Sequence, residues 1–299
     1  KRWNGDLRRM MSGLLTRIGR ERPTEREEQP LRSELFSTDQ LEQAAKALAG
    51  RHAVDERTGP DQLLSLLEKN ETVLLEAHQM IVASLAASRR TSPADEWLLD
   101  NFYLIEEQIR TARRHLPKGY SRGLPRLAQG PSRGLPRVYD IALEAISHGD
   151  GRVDSDTLRR FVAAYQAIAP LTLGELWAIP IMLRLASIEN LRRVGARITA
   201  SRIHLDLAQD WANRMMEIAE SDPKSLIVVI ADMARSNPPM VSSFVAELAR
   251  RLQGHGPALA LPLTWIEQRL SETSQTIEQL VRSETQQQAA DQVSISNTI

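Results

Sequence analysis

Leu226-Ile-Val-Val-Ile-Ala231 is the stretch on which the fold class turns. Its β-branched side chains suit a strand, and a strand here would make the chain a mixed fold. The flanking residues decide otherwise. Asp222-Pro223 upstream is a cap followed by a first-turn proline, and Met233-Ala234-Arg235 downstream continues a helical pattern. No alternating strand pair and no Asn-Gly hairpin occurs elsewhere in the sequence. The chain reads as all-α, a multi-helix array or bundle with long, proline-kinked helices and one basic Gly/Pro loop.

Outward from that run, helix signals recur. Thr172 with Glu175 caps a long run, kinked at Pro180, through Leu185, Ile188, Leu191, Ile198, Ile203 and Leu207 to Met216. Near Pro136 a helix opens that carries Val138, Ile141, Leu143 and Ile146, and Gly149-Asp150-Gly151 breaks it. Ser92-Pro93-Ala94-Asp95 starts another, to about His115, with Leu98, Phe102, Ile105 and Ile109 inward. A helix from near Pro60 uses Leu63, Leu67, Leu74, His78, Ile81 and Leu85. Ser37 and Gln40 form a capping box ahead of Leu41, Ala44, Ala45 and Leu48, with a stop at Gly50.

Downstream, Asn237-Pro238-Pro239 separates the Leu226 helix from one ending at Gly254. A last helix from Pro262 carries Leu263, Ile266, Leu270, Ile277 and Leu280, interrupted at Thr273, as a packing seam for a neighbouring helix or subunit. From Gln286 the pattern fades into polar residues. The organisation is then a mixed-charge lead-in at 1–30, a helical part at 31–116, a basic loop at 117–135 and a second helical part at 136–299.

Bulk properties narrow the classes. The 299 residues are 42% hydrophobic and 25% charged, as in ordinary folded proteins. With 38 basic against 38 acidic residues the net charge is zero, which weighs against a dedicated nucleic-acid binder. Cysteine is absent, so disulfides, thiolate metal sites and cysteine nucleophiles are excluded. No run approaches the roughly 20 apolar residues of a membrane helix. Residues 1–20 lack the apolar core and cleavage site of a signal peptide. A chain that starts at Lys1 reads as a piece of something longer.

Most motif-like features have plain readings. Asp150-Gly151-Arg152-Val153 imitates a calcium loop, but Ile146, His148 and Thr157 stand where oxygen ligands belong. Asp154-Ser155-Asp156 has the spacing of a sugar-nucleotide metal site, yet no strand presents it, and an N-cap is the better account. The six histidines make no zinc pair, and His78 and His204 sit in apolar helical settings. Trp97, Trp177, Trp211 and Trp265 fall at helical spacing and read as core.

One stretch stands apart. Between Gln108 and Tyr139 there is no acidic residue, while Arg110, Arg113, Arg114, Lys118, Arg122, Arg126, Arg133 and Arg137 are all present. Nearly the same phrase occurs twice, Ser121-Arg-Gly-Leu-Pro-Arg126 and Ser132-Arg-Gly-Leu-Pro-Arg137. Lys118, Arg122, Arg126, Arg133 and Arg137 are the candidate contacts, for a phosphate-bearing anion, a lipid headgroup or an acidic protein face. A solvated loop with a chance duplication is the alternative.

Several longer phrases carry a resemblance. Leu98-Leu-Asp-Asn-Phe-Tyr-Leu-Ile-Glu-Glu-Gln-Ile109, Leu116-Pro-Lys-Gly-Tyr-Ser121 and Gly134-Leu-Pro-Arg-Val-Tyr-Asp140 run in order along the chain. Ile146-Ser-His-Gly-Asp-Gly-Arg-Val-Asp154, Leu171-Thr-Leu-Gly-Glu-Leu-Trp-Ala-Ile-Pro180 and Gln292-Val-Ser-Ile-Ser-Asn297 follow them. Together they resemble the N-terminal region of bacterial cyclic β-1,2-glucan synthases, from about Leu31 to the end. The resemblance implies a large inner-membrane enzyme that polymerises glucose from UDP-glucose and closes the chain into a ring. Its transferase, membrane and phosphorylase-like domains would lie downstream, and UDP-glucose and a divalent metal would belong there. No catalytic residue carries over to this stretch.

The implied role is a non-catalytic module on the cytoplasmic side of the inner membrane. It would need no cofactor of its own and would bind no nucleic acid. Its partners would be the downstream transferase and membrane domains of the same polypeptide, with the membrane surface as a further contact. The rival reading is a free-standing helical scaffold that holds an acidic partner through the arginine loop.

Overall fold

A computed structural model describes residues 37–55, 59–87, 89–148 and 153–298. The lead-in at 1–30 and the calcium-loop mimic around Asp150 lie outside them. Ten helices dominate the described residues. They are α1 (Thr38–Arg51), α2 (Leu63–Ala86), α3 (Pro93–His115), α4 (Arg137–His148), α5 (Ser155–Gln166), α6 (Leu173–Ser221), α7 (Leu226–Ser236), α8 (Ser242–Leu252), α9 (Ala260–Ser271) and α10 (Ile277–Asn297). The all-α reading holds. The only ladder among the described residues is a two-residue antiparallel pair, β1 (Val54–Asp55) with β2 (Arg126–Leu127), which pins the basic loop to the end of α1.

The deciding run is helical for a visible reason. Leu226, Val229, Ile230 and Met233 are buried while Ile227 and Val228 face out, a three-four pattern that no strand produces. Capping boxes at Ser37, Ser92 and Thr172 set the starts of α1, α3 and α6, and Asp154 caps α5 through the amides of Asp156 and Thr157. Each supplies acceptors for amides that have no partner within the helix.

The spine is α6, 49 residues in one helix that runs on through Pro180. At 1.5 Å per residue it is roughly 73 Å long, and three apolar clusters are strung along it. The first joins α2, α3, α4 and the first half of α6, and receives Ile295 from α10. The second gathers α7, α8 and α9 with the last turns of α6 and the start of α10. The third packs α1 and α5 on the outer side of α4, reaching Leu176, Ile179 and Leu183 at the start of α6.

Three expectations are corrected. The final helix is two, α9 and α10, because Ser274 turns into the left-handed region and Thr276 with Gln279 forms a fresh capping box. The polar tail after Gln286 stays helical to Asn297, because it packs through polar partners: Asp291 pairs with Arg197, and Asn190 donates to Thr298 at 3.1 Å. Leu85 and Trp177, read as inward, are exposed. Trp97, Trp211 and Trp265 are half-buried. Among the described residues no helix is long and apolar enough to cross a membrane.

Candidate functional site

The basic loop between α3 and α4 is folded, not merely solvated, and its repeated phrase is a repeated structure. Gly119 and Gly130 each stand three residues before the first arginine of a copy, with φ of 84° and 86°. That backbone is open to glycine at little cost. The amides of Arg122 and Arg133 then donate back to the Gly119 and Gly130 carbonyls at 3.0 and 3.2 Å. The amides of Leu124 and Leu135 close a second turn onto the Ser121 and Ser132 carbonyls at 3.2 and 3.1 Å. In both copies the serine and the last arginine are buried, while the first arginine is exposed.

Each buried serine donates to a carboxylate. The Ser121 hydroxyl reaches Asp61 Oδ1 at 2.7 Å, and the other oxygen of Asp61 accepts the Gly119 amide at 2.7 Å. The Ser132 hydroxyl donates to Asp140. The last arginines turn inward too. Arg126 donates to the carbonyls of Pro60, of Gly59 at 2.8 Å and of Gly134 at 3.3 Å. It thereby ties the first copy to the approach of α2. Arg137 makes a bidentate pair with Glu175, Nε to Oε1 at 2.5 Å and a terminal nitrogen to Oε2 at 2.9 Å. It also donates to the Pro170 carbonyl at 2.8 Å.

Glu175 is itself the third residue of the α6 capping box, accepting from Thr172. Burial pushes its carboxyl pKa up, but the Arg137 pair and the Thr172 hydrogen bonds outweigh that and hold it below the ordinary value. Asp140 behaves alike: burial raises it, and the hydrogen bonds from His52 and Ser132 bring it below the usual range. The His52 ring bridges Asp140 through Nε2 at 3.1 Å and the Tyr165 hydroxyl through Nδ1 at 2.8 Å. Since the carboxylate only accepts, Nε2 carries the proton, and in the neutral ring Nδ1 accepts from Tyr165. The second copy thus sits in one polar chain joining α1, α4, α5 and α6.

The five candidate contacts therefore divide. Arg126 and Arg137 were expected at a contact surface, but their guanidinium groups are spent inside the molecule as fasteners. Lys118, Arg122 and Arg133 are exposed and have no ion-pair partner among the described residues. Sequence reasoning missed His52, Tyr165 and Asp140, which come together from three distant segments and carry no local motif.

The chemistry open to this arrangement is cation display on a rigid frame. No group of three or more acidic or histidine side chains among the described residues is placed to hold a metal. Asp154, half of the sugar-nucleotide-like pair, spends its carboxylate on the Thr157 side chain and on the amides that begin α5.

Fold and loop together define the class: an all-α array strung on one long helix, with a folded cationic loop at one junction. No established protein-family profile matches the chain. Over 272 residues it is 29% identical to the cyclic beta-(1,2)-glucan synthase NdvB of Rhizobium meliloti (strain 1021), an alignment covering 90% of this chain and 9% of that protein. The chain is related to that synthase, as its longer phrases suggest, and spans about a tenth of its length.

Proposed function

We propose that this chain is the helical N-terminal module of a cyclic β-1,2-glucan synthase and serves its catalytic part without catalysing a step itself. The observation that carries the reading is the alignment, which takes in nearly all of this fold and leaves most of the relative's length elsewhere. Transfer of glucose from UDP-glucose then belongs to the remainder of the polypeptide, with any metal it requires. The role of this module is to hold that remainder in position, and the exposed cations Lys118, Arg122 and Arg133 form the contact. Their setting supports this: both loop copies are braced internally, so the two outward arginines are presented on a fixed frame.

The test is made in the full-length synthase in cells. Arg122→Glu with Arg133→Glu leaves every internal fastener in place, so synthase abundance should be unchanged. Cyclic glucan output should fall about tenfold, the scale at which like-charge contact opposes docking. Undiminished output at normal abundance removes the loop from the function.

A further inference from the structure

A second surface has a different character. From Phe161 to Leu183 the only charged residue is Glu175, and it is buried against Arg137. What this stretch shows to solvent is uncharged and largely apolar. Ile168 is 56% exposed, Leu173 62% and Trp177 75%, with Ala163, Ala167, Pro170 and Pro180 also exposed. Leu173, Trp177 and Pro180 form one stripe along the first turns of α6, on the side opposite Glu175. A scattered exposed Leu needs no explanation, but a Trp grouped with aliphatic side chains on an uncharged face does.

We propose that the α5–α6 corner and the first two turns of α6 dock on an anionic lipid surface. Glu175 being buried, the first charge beyond the corner on the outward side is an arginine on each helix: Arg160 and then Arg159 back along α5, and Arg184 next on the α6 stripe. Arg159 and Arg160 are exposed and pair with Asp156 at 3.1 Å and with Glu42 at 2.9 Å respectively, while the half-buried Arg184 has no ion-pair partner among the described residues. Arg184 lies eleven helical steps beyond Leu173, about 16 Å. The aliphatic tip therefore reaches the roughly 5–10 Å depth of an interfacial anchor while the long arginine stems place their heads among lipid phosphates. An indole between the two levels occupies the region that tryptophan favours in bilayers. A protein-binding face of similar extent carries polar groups through its rim and several hydrogen bonds; this one offers no charge until the arginines. The inference stands independently of the glucan reading.

Because the chain contains no cysteine, Leu173→Cys accepts a single environment-sensitive fluorophore, and Tyr103→Cys on the exposed side of α3 gives a control. The 299-residue chain is mixed with phosphatidylglycerol-containing vesicles and with pure phosphatidylcholine vesicles. Expected are flotation with the anionic vesicles, a blue-shifted and brighter label at 173, and an unchanged label at 103. Replacing Leu173 and Trp177 together by Ser should weaken binding about tenfold or more, with the helical circular dichroism retained. Three results each overturn the proposal: no flotation, which leaves a protein face as the occupant; equal binding to both vesicle types; or flotation with an unresponsive label at 173.

Discussion

Arg137 shows how one side chain can be spoken for before any partner arrives. Its guanidinium and the Glu175 carboxylate are both buried, and the pair joins the second loop copy to the first turn of α6. Breaking such a pair leaves a charge with no water and no partner. Arg137→Ala should therefore cost about 3–5 kcal/mol, read from urea unfolding. Arg133→Ala, four residues earlier and exposed, should cost under about 0.5 kcal/mol. Equal losses would mean that the pair is not a fastener. The pH dependence has a definite sign. Glu175 titrates below its ordinary value, so its contribution is present above the unfolded carboxyl pKa of about 4.3 and is lost as pH falls through the lower folded value. The stability gap between the native chain and Glu175→Gln should accordingly close on acidification, and a gap that widened would contradict the assignment. The sequence displayed eight cations in an acid-free stretch but not which of them face inward. That distinction depends on Asp61, Asp140, Glu175 and the carbonyls of Gly59 and Pro60, which lie outside the stretch or are brought to it by folding.

At the scale of elements, caps were the most legible feature and breaks the least. Ser37, Ser92 and Thr172 announce helices because their side chains act within three residues, which a sequence reports directly. The α9–α10 break shows in the sequence only as the interruption at Thr273, although Thr276 and Gln279 spell the same box, because the apolar series resumes in phase on the far side. Helical spacing likewise places Trp177 on a face but does not say which neighbour covers that face, and the fold leaves it exposed. Helix contact also leaves marks in single residues. Gly195 lies where α6 crosses α2, and a Cβ there would stand 3.4 Å from Leu74 Cδ2 and 3.6 Å from Ala77 Cβ. Gly195→Ala gains up to about 1 kcal/mol of helix propensity against a slightly tight contact and should be near neutral. Gly195→Leu has no room and should destabilise by about 1–3 kcal/mol. Thermal melts of the two variants separate these outcomes, and a tolerated leucine would mean that the crossing is looser than the distances imply.

Across the whole molecule, the first and second apolar clusters meet at a polar layer. Along α6 the first cluster ends at Ile198 and the second begins at Ala208. Between them Arg202 is buried against Asp95 at the start of α3, and Asp206 takes Arg89 at 2.9 Å. Just before the layer, Arg197 meets Asp291 of α10. A cavity of about 20 Å³ lies within it, lined in part by Ser92, Ser201, Glu284 and Gln288, roughly the room of one water. Close packing transmits strain through apolar contacts, whereas a layer of ion pairs around a small void transmits less. The two clusters should therefore behave as separate cooperative units that share α6 and α10. Phe244 is fully buried in the second cluster, on α8. Phe244→Ala should remove about 3–5 kcal/mol from that unit. Amide exchange would then speed up in α7, α8, α9 and the last turns of α6, while α2, α3 and α4 keep their protection. Equal acceleration in α2 and α8 would show one cooperative body and rule out the polar layer as a boundary. Unequal acceleration would place the loop and the α5–α6 corner on the more protected unit, since Arg137 and Glu175 brace both against α4 and the first turn of α6.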